Sequence, residues 1–165
     1  MTRFLAIDPG ASGGFAWRDI NGGLRSCPMP DSEQIVVETL GRLRGVDMVI
    51  MEKVGGFIAG AKTPGSHMFN FGCGYGLIKG AMIAYGMNFQ MVTPQEWQKA
   101  LQLGKKKDHK YEAIITRGKN KGKKTMKSDW KEHLLRQAQL LYPQIEVDLK
   151  TADALLMLNY AEQFL

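Results

Sequence analysis

Two four-residue apolar runs, Phe4-Leu5-Ala6-Ile7 and Met48-Val49-Ile50-Met51, each end on a carboxylate, Asp8 and Glu52. Short apolar runs without polar alternation belong to strands buried on both faces, and such a strand carries a charge only where it emerges at the rim of its sheet. The chain between the runs reads as one meander and one helix. After Asp8-Pro9-Gly10 and the glycine-rich Ala11-Ser12-Gly13-Gly14, Phe15-Ala16-Trp17 returns as a strand. Asn21-Gly22-Gly23 is a second turn and Leu24 to Pro28 a third strand. Ser32 is placed to cap a helix whose apolar positions, Ile35, Val36, Leu40 and Leu43, recur at helical spacing up to Gly45. If the two acid-ending strands lie as parallel neighbours, Asp8 and Glu52 meet at one end of the sheet.

Beyond Glu52 the spacing predicts a helix from about Ser66 to Tyr85, on which Gly72, Gly76, Gly80 and Ala84 recur every four residues. Glycine inside a helix costs roughly 1 kcal/mol relative to alanine, so the stripe requires a compensating close approach, either within the monomer or between subunits. Phe89-Gln90-Met91-Val92 reads as a strand. Thr93-Pro94-Gln95-Glu96 then has capping-box spacing with proline at the first helical position, opening a short helix that reaches about Leu103. Residues 104–127 read as a mobile loop or small excursion with one weak apolar cluster, Ala113-Ile114-Ile115. Ser128 caps a helix to about Leu141, and Thr151 opens a last helix with Ala154, Leu155, Leu158 and Ala161 on one face.

The chain has 165 residues, 44% hydrophobic and 23% charged, which matches one domain able to bury a core. Its charge is regional. Residues 104–136 hold twelve Lys/Arg against four Asp/Glu, whereas the remainder holds ten against twelve. A basic segment on a near-neutral body is the footprint of a phosphate-binding surface, because each cation that meets a phosphate releases condensed counterions. Cys27 and Cys73 form neither a metal-knuckle spacing nor a disulfide framework. No stretch reads as a membrane span, and the first residues run into a strand without an apolar signal core. A cytoplasmic protein with reduced thiols and no membrane partner is expected.

Asp153 falls in the first turn of the last helix. Each acid alone has an ordinary reading: Asp before Pro-Gly forms turns, and Asp in a first helical turn complements the helix dipole. Together they differ. If the last helix packs across the strand ends, Asp8, Glu52 and Asp153 converge, and converged carboxylates require a cation. Hard oxygen donors suit Mg2+ or Mn2+.

The run Phe4 to Ala16, with Met51-Glu52-Lys53-Val54 and Thr151-Ala152-Asp153-Ala154-Leu155, resembles the acid-bearing motifs of RuvC-type Holliday junction resolvases in the RNase H-like superfamily. Gly72-Cys73-Gly74-Tyr75-Gly76 is similar to the family's Gly-x-x-x-Gly helix. Val92-Thr93-Pro94 with Trp97-Gln98-Lys99, and Ser128-Asp129-Trp130-Lys131, resemble its segments leading to DNA-contacting lysines. The likeness keeps the motif order over nearly the whole chain. It implies an α/β, RNase H-like fold with a central mixed five-stranded sheet flanked by helices, in one domain over 1–165 with a basic insertion at about 104–127. It also implies a homodimer built on Gly72, Gly76 and Gly80, and cleavage of four-way DNA junctions by paired symmetric nicks. Asp8, Glu52 and Asp153 would hold two Mg2+ or Mn2+ ions, with Lys131 catalytic beside them. By the same likeness Lys99 would contact DNA, and the basic segment adds Lys105, Lys106, Lys107, Lys119, Lys121, Lys123, Lys124 and Lys127 as candidate phosphate contacts.

The chain departs from the family pattern at three places. The family's Asp or His three residues before its last Asp is here Lys150, which leaves Asp148 as the candidate fourth metal ligand. The aromatic wedge expected three residues after the catalytic Glu is here Gly55, with Phe57 the candidate substitute. Residues 104–127 are longer and more basic than the family's connection. An actin-like or sugar-kinase-like ATPase would need two such domains and a second phosphate loop, so no nucleotide cofactor is expected. A nuclease acting on flaps or forks, and a non-catalytic junction-binding module, remain as alternatives.

Overall fold

The computed structural model describes residues 2–55 and 65–165. Three antiparallel strands open the chain, β1 (Phe4–Asp8), β2 (Gly14–Arg18) and β3 (Leu24–Pro28). Helix α1 (Glu33–Leu43) then crosses to β4 (Met48–Glu52), and helix α2 (Gly65–Ala84) leads to β5 (Phe89–Val92). The sheet order is β3-β2-β1-β4-β5, with β4 parallel to both β1 and β5, so the sheet is mixed and five-stranded as expected. After it come α3 (Pro94–Ala100), a 3-10 turn (Lys106–His109), the two-stranded ribbon of β6 (Lys110–Ile114) and β7 (Lys124–Ser128), α4 (Trp130–Leu141) and α5 (Ala152–Phe164).

The absence of alternation in the two apolar runs has a direct cause. Leu5, Ile7, Val49 and Met51 pack on Val36 and Leu40 of α1 and Ile78 and Met82 of α2. Phe4, Ala6 and Ile50 face the other way, into a core with Trp97, Trp130, Leu134, Leu155 and Leu158 from α3, α4 and α5. Each large side chain fully buried there contributes about 1.5–3 kcal/mol, which outweighs the modest intrinsic preferences of such short strands.

Several local expectations are corrected. The last turn of α3 stops at Ala100, not Leu103, because Gln102 turns into the left-handed region at φ 55°. Ser128 ends β7, and Asp129 takes the N-cap position of α4; Ser128 instead accepts the Trp130 backbone N–H through its Oγ at 3.2 Å. Of the two readings of residues 104–127, the small excursion is the one that forms: they build the 3-10 turn and most of the ribbon. The capping box of α3 forms as expected, with Glu96 N–H donating to Thr93 Oγ1 and Thr93 N–H donating to the Glu96 carboxylate. On α2, a Cβ added at Gly72, Gly76 or Gly80 would meet nothing within 4 Å among the described residues, so none of these approaches the glycine stripe closely. Among the described residues no helix is long and apolar enough to cross a membrane.

Candidate active site

Strand parity aims the first two acids the same way. Ile7 pairs with Met51 across the parallel ladder, which sets Asp8 and Glu52 one step further on, at neighbouring strand ends. Residues two apart share a face, so Asp8 follows Ala6 and Glu52 follows Ile50 onto the side covered by α5. Helix α5 packs along β1 and β2 and delivers Asp153 in its first turn. The charges act on one another: Asp8 raises both Glu52 and Asp153, and Asp153 raises Glu52.

Burial and crowding govern the protonation of this trio. Glu52 is pushed up to about 7, by burial first and then by Asp8, with the Trp97 indole, Asp153 and Lys131 as smaller influences of either sign. Asp153 is pushed up to about 6 by burial and by Asp8, and Lys131 opposes the shift. Asp8 is raised by burial, against the Gly10 N–H and Lys131. Carboxylates whose ionised forms are disfavoured by burial and by one another suit a hard divalent cation, which would offset both the desolvation penalty and the repulsion. Among the described residues no three acid, histidine or cysteine side chains stand close enough to hold an ion as they are. The trio is electrostatically coupled across the ends of β1 and β4 and the first turn of α5.

The glycine-rich turn after β1 serves the first acid. A Cβ at Gly13 would lie 2.3 Å from the Asp8 carbonyl oxygen, 2.5 Å from its Cγ and 2.7 Å from its Oδ2. Only glycine lets the carboxylate fold over the turn. Gly14 is equally constrained, since a Cβ there would lie 2.5 Å from the Cys27 carbonyl oxygen.

Trp97 holds the second acid. It is fully buried in α3 and donates from Nε1 to Glu52 Oε1 at 3.2 Å. Forty-five residues separate the partners, and no local pattern links them. A buried tryptophan N–H needs an acceptor, the general signal by which this residue could have been suspected. Phe71 of α2 was also not anticipated: its ring would lie 3.9 Å from a Cβ on Gly10, beside the Asp8 turn.

Glu52 and Asp153 open into a cleft of about 990 Å³, also lined by Lys99, Lys105, Lys106, Lys131 and Trp130. Of the basic residues singled out above, these four reach it. Lys107 lies in the 3-10 turn, and Lys119, Lys121, Lys123, Lys124 and Lys127 belong to the ribbon or its tip. Asp148 is not drawn to the trio. Its Oδ1 accepts the backbone N–H groups of Lys150 and Thr151 and the Thr151 hydroxyl, each at 2.9 Å, so it serves the start of α5. Slight burial raises its pKa, but these hydrogen bonds and Lys150 bring it below the usual carboxylate value. Phe57 lies outside the described residues.

No protein-family model and no curated protein matches the chain. Solved structures do resemble it. RuvC of Thermus thermophilus in complex with a Holliday junction substrate is 16% identical, with a TM-score of 0.55. A second structure of Thermus thermophilus RuvC is 17% identical, with a TM-score of 0.52. Each match covers 96% of this chain and 92% of the other. The shared property is architecture, a mixed five-stranded sheet flanked by helices, and the chain therefore has a RuvC-like, RNase H-like fold.

Proposed function

We propose that the chain is a divalent-metal-dependent endonuclease that cleaves four-way DNA junctions by paired symmetric nicks. One observation carries the reading: three half-buried, electrostatically coupled carboxylates lie at the ends of β1 and β4 and the first turn of α5, and two of them, Glu52 and Asp153, line a lysine-walled cleft. The likeness to a RuvC whose structure contains a Holliday junction supports the choice of substrate. Asp8, between the other two acids, would hold both of two Mg2+ or Mn2+ ions, with Glu52 and Asp153 each holding one. Ions bound there supply an activated water and charge for the leaving 3′-oxygen.

The chain's own groups do the rest. Trp97 fixes the Glu52 carboxylate. Lys131, whose charge acts on all three acids, balances negative charge developing on the phosphate. Lys99, Lys105 and Lys106 guide the sugar-phosphate backbone along the cleft without reading bases. The products carry 5′-phosphate and 3′-hydroxyl ends. The open face of α2 at Gly72, Gly76 and Gly80 is where a second copy would pack, so that two sites address two strands.

The test compares a labelled synthetic four-way junction with matched linear duplex and forked DNA, in Mg2+ and in chelator. Paired nicks at symmetric positions are expected on the junction, lost in chelator and reduced to below about a hundredth in Asp8→Asn. Junction binding by the parent protein without cleavage in either metal would make it a non-catalytic binding module, the reading that Lys150 in the family's ligand position favours. Equal cutting of all three DNAs would make it a general nuclease, and cutting confined to forks would move the substrate to other branched DNA.

A further inference from the structure

The β6–β7 ribbon stands apart from the rest of the fold. Its strands pair with each other in register, Tyr111 with Lys127 and Ile114 with Lys124, and neither packs extensively on the main sheet or on a helix. A lone two-stranded hairpin is marginal in water, so the ribbon depends on how it is rooted. The root is firm. Asp129 N–H donates to the His109 carbonyl at 3.1 Å, the His109 ring sits 5.0 Å from Trp130 and 4.2 Å from His133, and His133 Nε2 pairs with the Leu103 carbonyl at 2.8 Å. Ser128 and Trp130 at this root also line the cleft, so the ribbon leaves directly from the cleft wall.

Its two faces differ. Directly opposed residues share a face, and so do residues two apart. One face carries Lys110 and Ser128 at the root, then Glu112, Ile114, Lys124 and Met126. There Lys124 Nζ is paired with the Glu112 carboxylate at 2.9 Å, beside two apolar side chains that are each 61% exposed. The other face carries Tyr111, Ala113, Thr125 and Lys127. A hydrogen bond from Ile115 N–H to the Lys123 carbonyl continues the ladder and puts Lys123 on that side as well. Among the described residues neither Lys123 nor Lys127 has an acidic partner within ion-pair distance. The tip adds Arg117, Lys119 and Lys121 with no acid, turned on Gly118 and Gly122, both in the left-handed region.

From this geometry we propose that the ribbon is a second DNA contact, outside the catalytic cleft, which lays its Lys123–Lys127 face and basic tip on the phosphates of the duplex leading out of the cleft. It rests on the nucleic-acid reading above and extends it. From Lys110 to Lys119 the strand and tip span at most roughly 30 Å at about 3.3 Å per residue, close to one turn of duplex. Phosphate contact of this kind gives affinity independent of sequence and of branching. The Lys124 face contributes less, because Lys124 already has a partner and its other cation, Lys110, sits at the root rather than along the ribbon.

The test is a salt titration of binding by fluorescence anisotropy, on the junction and on a linear duplex, in chelator so that no cleavage intervenes. Lys123→Ala/Lys127→Ala is expected to flatten the slope of log K against log salt by about 1.8, roughly 0.9 per lost phosphate contact, and to weaken both DNAs about tenfold at low salt. Glu112→Gln/Lys124→Gln, which removes one cation and one anion from the opposite face, should leave the slope unchanged. In a second variant, a two-residue Asn-Gly turn replaces 112–126. It should lose hydroxyl-radical protection about one helical turn from the crossover. An unchanged slope in the Lys123/Lys127 variant, equal effects from the two faces, or an intact footprint after shortening would each overturn the proposal. None of these outcomes bears on whether the cleft cuts DNA, which the Asp8→Asn comparison decides separately.

Discussion

The carboxylate end of the sheet and the basic ribbon are adjacent in space and opposite in construction. The acids are half-buried, their positions set by strands and a helix far apart in sequence, and their charges destabilise one another. The ribbon's cations are exposed, set by one local hairpin, and only one of them is neutralised within the ribbon. Crowded carboxylates withdrawn from water are relieved by a proton or a bound cation, whereas exposed charges are solvated at no such penalty. On the proposed reading the first region performs chemistry on a phosphate and the second holds one.

That contrast can be broken most directly with two kinds of lysine. Lys131→Ala should lower the single-turnover cleavage rate by about a hundredfold while changing junction affinity less than tenfold, the reverse of the ribbon pattern. If it weakens binding and spares the rate, the distinction between the two regions fails.

Next in size is the turn under the first acid. Gly13→Ala forces a methyl group against the Asp8 carbonyl and carboxylate and should destabilise the fold by about 1–3 kcal/mol in denaturant titrations. Gly72→Ala, on the open face of α2, should leave monomer stability unchanged or raise it by up to about 1 kcal/mol. Equal effects at both positions would mean that the turn does not cradle Asp8.

Trp97→Phe keeps most of the buried ring and removes one hydrogen bond, worth about 1 kcal/mol. The expected result is roughly a fivefold rise in the Mn2+ concentration for half-saturation, measured by calorimetry, with DNA affinity unaltered. Unchanged Mn2+ affinity would reduce Trp97 to a packing role.

The smallest effect concerns pH. Glu52, Asp153 and Asp8 are raised in the folded protein, so each contributes stability below its unfolded pKa and loses it as pH climbs through the folded value. In chelator, Tm should therefore fall between about pH 5 and pH 8, the window above the ordinary carboxylate range. Mg2+ or Mn2+ should raise Tm more at pH 8 than at pH 5, because a ligand that binds the ionised trio stabilises the folded state. Scanning fluorimetry in which Tm rises across that window in chelator would contradict the buried, cation-free carboxylates.

Local chemistry determined a good deal of this protein. Apolar runs ending in Asp8 and Glu52, the Thr93–Glu96 capping box and the glycine turns are all sequence-neighbour effects, and the strands, α3 and the meander follow from them. Those effects misled where two local signals competed. Lysine is a poor strand former, so Lys110–Ile114 and Lys124–Ser128 looked like solvated loop although cross-strand pairing and a rooted base make them a ribbon. Ser128 and Asp129 both suit an N-cap, and β7 claimed the serine.

Tertiary structure alone decided how the trio is protonated, that Trp97 holds Glu52, that Asp148 turns to the start of α5 and which face of the ribbon is free. Burial, dielectric and long-range hydrogen bonds depend on which segments meet, and that information belongs to the packed chain rather than to any stretch of it.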